Sequence, residues 1–201
     1  EGTVILFTLE DDGWAHHYLY DRESGSLEQL TFGECEDYGH AGDEPQWAPD
    51  GKCFVYASNR TDAAQRELWR FDLETRENTR LTDFPGTNVQ PKWSPEGERI
   101  AFIHCDPWHS MDLWCLNVDE EDTEPFQLTD SMPDNWKHSK AVVPEEVVFK
   151  GADDWDLHGF LVKPADFDPA ERYPALVYVH GGPIRQMRYG FHPVHSYSVF
   201  Y

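Results

Sequence analysis

Short apolar runs alternate with clusters of turn residues along the first two thirds of the chain. Cys53-Phe54-Val55-Tyr56-Ala57 and Ile100-Ala101-Phe102-Ile103 read as strands. Each is followed by a second, Leu68-Trp69-Arg70-Phe71-Asp72-Leu73 and Leu113-Trp114-Cys115-Leu116-Asn117-Val118. Large apolar residues alternate with polar ones in these runs, which predicts antiparallel sheet with one face buried. Ahead of each pair stands the same turn: Pro45-Gln46-Trp47-Ala48-Pro49-Asp50-Gly51 returns 46 residues later as Pro91-Lys92-Trp93-Ser94-Pro95-Glu96-Gly97. Proline presets φ and glycine accepts positive φ, so both copies predict a tight turn. Each unit closes on Leu-Thr-Asp, at Leu81-Thr82-Asp83 and Leu128-Thr129-Asp130, and Tyr18-Leu19-Tyr20-Asp21 with Leu30-Thr31 is an earlier partial copy. Short strands repeating every ~40–50 residues predict a β-propeller of four-stranded antiparallel blades. Residues 1–130 would hold about two and a half of them, fewer than the ~4–8 of a closed ring, with Trp47 and Trp93 packed between blades. The expectation is a chain that begins partway through a propeller.

Beyond Asp130 the pattern changes, and residues 131–201 read as a second unit. Ser131–Lys140 is polar and irregular, a linker. Glu146–Lys150 and Leu157–Val162 read as two strands joined across Gly151-Ala152-Asp153-Asp154, and Pro164–Pro174 as a loop. Ala175-Leu176-Val177-Tyr178-Val179 is a continuous apolar run, the pattern of a strand buried on both faces. It ends on His180-Gly181-Gly182-Pro183. In α/β-hydrolases the loop after the third strand gives a backbone N–H to the oxyanion hole, where a Cβ would obstruct the substrate carbonyl. The other reading of the motif is an ordinary glycine turn.

Charge divides the chain at the same place. Residues 1–130 carry 29 acidic and 9 basic side chains, whereas 131–201 carry 9 and 7. A net charge of -22 argues against nucleic-acid binding through phosphates. No apolar run approaches the ~18 residues of a membrane span. Only six of the sixteen basic residues are lysine, so the acidity reads either as high-salt adaptation or as a well-solvated surface. Cys35, Cys53, Cys105 and Cys115 show neither a C-x-x-C pair nor zinc spacing. They read as free thiols, which points to a cytoplasmic setting.

The Pro-x-Trp-Ser/Ala-Pro-Asp/Glu-Gly repeat resembles the blades of TolB-like propellers and of prolyl oligopeptidase family peptidases. With Lys163-Pro164, Tyr173-Pro174 and His180-Gly181-Gly182-Pro183 in that order, the whole chain resembles the latter family in its acylaminoacyl-peptidase and dipeptidyl-peptidase-like branches. The resemblance implies a propeller, then the start of an α/β-hydrolase domain, in a serine peptidase whose propeller gates access for oligopeptides. It implies that Gly182 offers the oxyanion-hole N–H, while His180 and Gly181 shape its loop. No Gly-x-Ser-x-Gly follows Pro183, so no triad is assigned within the chain, and His180 is not the catalytic histidine, because the order is Ser…Asp…His.

Arg185 and Arg188 offer planar forks for a substrate carboxylate, or else pair with acidic groups at a domain interface. His192 and His195 stand three apart without a third ligand, so no metal site is expected. His16, His17, His104 and His109 carry no functional signal, and no cofactor is implied. Two rival functions stand beside the peptidase: a non-catalytic propeller scaffold, and an esterase using the same machinery.

Overall fold

The computed structural model describes residues 2–39, 42–118, 124–134, 142–182 and 186–190. β1 (Val4–Leu9), β2 (His16–Asp21) and β3 (Leu27–Gln29) form a three-stranded antiparallel sheet. β4 (Gln46–Trp47), β5 (Cys53–Ser58), β6 (Glu67–Asp72) and β7 (Asn78–Arg80) form a four-stranded sheet. β8 (Thr87–Trp93), β9 (Arg99–Cys105), β10 (Asp112–Asn117) and β11 (Phe126–Gln127) form another. Strands adjacent in sequence are adjacent in space throughout, so each sheet is a meander and each repeat unit is one propeller blade. The two turn copies behave alike: the Gly51 N–H donates to Ala48 O at 2.9 Å and the Gly97 N–H to Ser94 O at 3.0 Å. Both glycines take positive φ, 71° and 80°.

The cores lie between blades. Phe54, Tyr56 and Phe71 of the second blade pack with Leu30 of the first, and Leu6 and Leu19 close the cluster. Val55, Ala57 and Leu68 turn the other way and meet Ile100, Phe102 and Leu116 of the third. The expected half-buried alternation therefore fails at β5, where Phe54 to Ser58 are all fully buried. A blade in a propeller is covered on both faces by its neighbours, so its middle strands behave like those of a sandwiched sheet. Trp93 does bridge blades, its Nε1–H donating to Gln46 O at 3.1 Å, and Trp47 sits edge-on to Phe54.

The recurring Leu-Thr has a mechanical explanation. The Thr31, Thr82 and Thr129 hydroxyls each accept the N–H of His17, Leu68 and Leu113, all at 2.9 Å. Each hydroxyl thus continues the strand ladder one step past the end of the outer strand. Thr82→Val keeps the shape but strands the N–H of fully buried Leu68, and is expected to cost about 1–3 kcal/mol. Urea unfolding checks this, with Thr82→Ser expected to recover most of the loss.

After the blades, β12 (Glu145–Lys150) and β13 (Asp156–Leu161) pair as the expected hairpin, Val148 opposite His158. The run Ala175–Val179 is a correction: it has no strand structure, and Leu176, Val177 and Val179 are 72–83% exposed. A strand is completed by the N–H and C=O groups of its neighbours, and among the described residues this run is paired in no sheet. Among the described residues there is accordingly no α/β layer; the hairpin and this run stand where it was expected. No helix among them is long and apolar enough to span a membrane.

Candidate functional site

A meander sends alternate connections to opposite ends of the strands. At one end lie the tight turns at Asp21, Asp50, Asp72 and Glu96, all solvated. At the other lie the connections between β1 and β2, β3 and β4, β5 and β6, β7 and β8, and β9 and β10. Every buried polar residue of the blades, from His16, Asp37 and Asp43 to Arg66, Asn88, His104 and Asp112, sits at this second end. Burying polar groups costs free energy unless they are paired, so this end is a built polar surface, whereas the turn end is not.

Its first cluster joins blades one and two. His16 Nδ1 lies 2.9 Å from Asp37 Oδ2, and His16 Nε2 lies 2.9 Å from Gly33 O. Both partners only accept, so both ring nitrogens carry hydrogen and His16 is an imidazolium. Burial opposes its charge, but Asp37, Gly33 O and Asp12 outweigh it and raise the pKa. Asp37 is lowered despite burial by hydrogen bonds from His16, Ser58 and Thr31, with Arg60 Nη2 3.5 Å away. Next door, burial pushes His17 down to about 4, so it is neutral between Phe54 and Tyr56. His16, Cys35 and Asp37 stand close enough together to share an ion. His16 Nδ1 and Nε2 are both engaged, by Asp37 and Gly33 O, and burial pushes the Cys35 thiol up to about 11. The four cysteines are free thiols.

The second cluster gathers around Arg66, which is 1% exposed. Its guanidinium donates to Glu36 O and, at 3.4 Å, to Tyr38 O, while its own N–H and C=O bond to Gly86 O and the Asn88 N–H. Burial first, then the neighbouring Arg188 cation, push Arg66 down to about 10; Asp43 opposes them. Asp43 is buried, and its Oδ1 accepts the Gln90 N–H at 3.1 Å, where β8 bulges and Gln90 takes a φ of 55°.

The segment that follows His180-Gly181-Gly182 docks on this surface. Gln186 Nε2 donates to Ala63 O at 2.6 Å, the Tyr189 N–H to Ala64 O at 2.7 Å, and Thr87 Oγ1 to Tyr189 O at 3.1 Å. Arg188 is 8% exposed, within the field of Asp43. Gly182 has a φ of 125°, a conformation glycine adopts and side-chained residues avoid. Gly181 faces open space, and His180 is half-buried with Nδ1 3.3 Å from Gly181 O. Pro183, Arg185, His192 and His195 lie outside the described residues. Reading along the sequence missed His16–Asp37 and Asp43–Arg66, because their partners come from different blades. The one available signal was the run of acidic residues in the long connection before β4.

Residues 1–90 match the family model described as the dipeptidyl peptidase IV N-terminal region. The chain is 37% identical to dipeptidyl-peptidase 5 of Porphyromonas gingivalis, over 83% of this chain and 30% of that protein. Among solved structures it resembles dipeptidyl peptidase 4 of Porphyromonas gingivalis, with a TM-score of 0.68 at 21% identity over 85% of this chain and 24% of that one. It also resembles TolB of Acinetobacter baumannii, with a TM-score of 0.53 at 20% identity over 80% and 38%. At these identities the two structures speak for the propeller fold alone. The chain spans about a third of the length of the dipeptidyl-peptidase it matches. Blade repeat, family model and dipeptidyl-peptidase likeness agree in supporting the prolyl oligopeptidase/dipeptidyl-peptidase-like family of peptidases.

Proposed function

We propose that this chain is the junction between propeller and catalytic domain in a serine peptidase that hydrolyses peptide bonds of oligopeptides. The observation that supports it is the positive φ of Gly182 at the end of His180-Gly181-Gly182, in a loop whose continuation docks on the polar end of the blades. In this reading a serine beyond Tyr201 attacks the peptide carbonyl, a histidine takes its proton as general base, and an aspartate orients that histidine. The Gly182 N–H donates to the oxyanion of the tetrahedral intermediate, a role glycine suits because nothing projects into the carbonyl's path. His180 and Gly181 set the loop, and Arg185 is the candidate for a substrate carboxylate. The blades restrict access, so substrates are short peptides; the likeness to a dipeptidyl-peptidase supports peptide over ester substrates. No metal or cofactor enters this chemistry.

A non-catalytic propeller scaffold is the rival reading, compatible with the propeller fold shared with TolB. Labelling by a serine-directed fluorophosphonate separates the two. The full-length protein is expected to label saturably and to lose peptidase activity in step. The 201-residue chain alone is expected to do neither, because it carries no Gly-x-Ser-x-Gly after Pro183. An unlabelled full-length protein would favour the scaffold.

A further inference from the structure

Three anchors hold residues 186–190 on the blades, and each uses a different element. Gln186 and Tyr189 bond to the carbonyls of Ala63 and Ala64 in the connection between β5 and β6. Thr87 at the start of β8 donates to Tyr189 O. Gly190 packs so closely on Cys105, at the end of β9, that a Cβ would lie 2.9 Å from its Sγ. Between these anchors the Arg188 side chain enters the cluster of Asp43 and Arg66. Gly39 floors the guanidinium seat. A Cβ there would fall inside the contact envelope of a terminal Arg188 nitrogen and 2.9 Å from one of Arg66. Two buried cations beside one buried carboxylate make an arrangement that a neutral side chain would not need.

Gln186 is four positions after Gly182, so the two Cα atoms lie within roughly 15 Å of one another by chain length alone. We infer that Arg188 is a positioning residue: seated over Gly39 beside Asp43 and Arg66, it ties the Gly182 loop to the propeller, and the propeller thereby sets where the oxyanion-hole N–H points. This rests on the oxyanion role proposed for Gly182. It makes the blades part of the catalytic geometry as well as the filter on substrate entry. Arg188 is then spent on docking and is not a substrate contact.

The seat can be disturbed from the propeller side without touching the loop. Gly39 does not lie in the left-handed region, so Gly39→Ala changes only the space available to the two guanidinium groups. In the full-length protein it is expected to lower kcat about 10- to 100-fold, the usual result of misplacing a reacting group by ~1 Å. KM for a chromogenic peptide should change less than about threefold. The rate of fluorophosphonate labelling should fall by the same factor as kcat. Arg188→Met should act alike, and the double variant should be no worse than the more severe single, since both disable one contact. Should Gly39→Ala fold poorly, Thr87→Val removes a single hydroxyl donor to Tyr189 and is expected to lower kcat and labelling together by about 3- to 10-fold. Arg76→Ala, at the opposite end of the blades, should leave kcat unchanged. If Gly39→Ala and Thr87→Val lower the melting temperature but leave kcat and labelling at the parental level, the docking is structural only and the inference is overturned. If the unaltered full-length protein neither hydrolyses peptides nor labels, it is the peptidase reading that has failed, and the inference falls with it.

Discussion

Replacing Gly182 with valine in the full-length protein is expected to lower kcat by ~10²–10³-fold, equivalent to about 2.7–4 kcal/mol of transition-state stabilisation. Two physical effects act together. Valine is strained at the φ of 125° that Gly182 adopts, and its side chain would stand where the substrate carbonyl must approach. The loss should fall on kcat more than on KM, because an oxyanion donor works hardest where charge develops. Labelling by a small phosphonate should fall in parallel, since its phosphoryl oxygen needs the same N–H. Thermal unfolding at the parental temperature would show that the defect is chemical. Near-parental kcat in a folded variant would reduce Gly182 to a turn residue and remove the chief support for the oxyanion assignment.

Asp37→Ala is expected to destabilise the propeller by about 3–5 kcal/mol, the cost of leaving a buried charge without its partner. Asp37 and His16 are both fully buried, and Ser58, Thr31 and Arg60 lose a partner as well. The pH dependence carries the signature. The folded pKa of His16 is raised above 6.5, so its contribution is complete below pH 6.5 and fades as pH rises through the folded value. Asp37 is lowered below 3.8, so its contribution is complete above pH 3.8 and fades as pH falls through its folded value. The difference between the parental protein and Asp37→Ala should therefore be greatest between about pH 4 and 6.5 and shrink on either side. Urea unfolding at several pH values checks this, and a difference independent of pH would mean that His16 is neutral in the fold.

The propeller was legible because its signals are local. Pro-Asp-Gly and Pro-Glu-Gly write a turn within three residues, and Leu-Thr marks the ladder extension next to the strand it follows. The strand Val4–Leu9 was not read, since its run is apolar at nearly every position and lacks the turn that precedes the later copies. The burial of β5 on both faces follows from neighbours in other blades, Leu30 on one side and Ile100 and Phe102 on the other, which no local alternation encodes. The same holds for the polar end. His16 meets Asp37 across 21 residues and Asp43 meets Gln90 across 47, distances that only the stacking of blades makes short. Ala175–Val179 shows the reverse: its composition is that of a buried strand, but burial is conferred by partners and not by the run itself. Gly182 was singled out from its setting after an apolar run. Arg188 was singled out with its interface reading, but its seat over Gly39 needed the fold.

The location of the reactive serine decides whether this propeller serves a peptidase. The full-length protein would be treated with a biotinylated fluorophosphonate, digested, and the adduct-bearing peptide identified by mass. One adduct is expected, on the serine of a Gly-x-Ser-x-Gly sequence beyond Tyr201, with labelling lost in step with peptide hydrolysis. A saturable adduct on a serine within residues 1–201, or none on a protein that still hydrolyses peptides, would contradict the proposed mechanism.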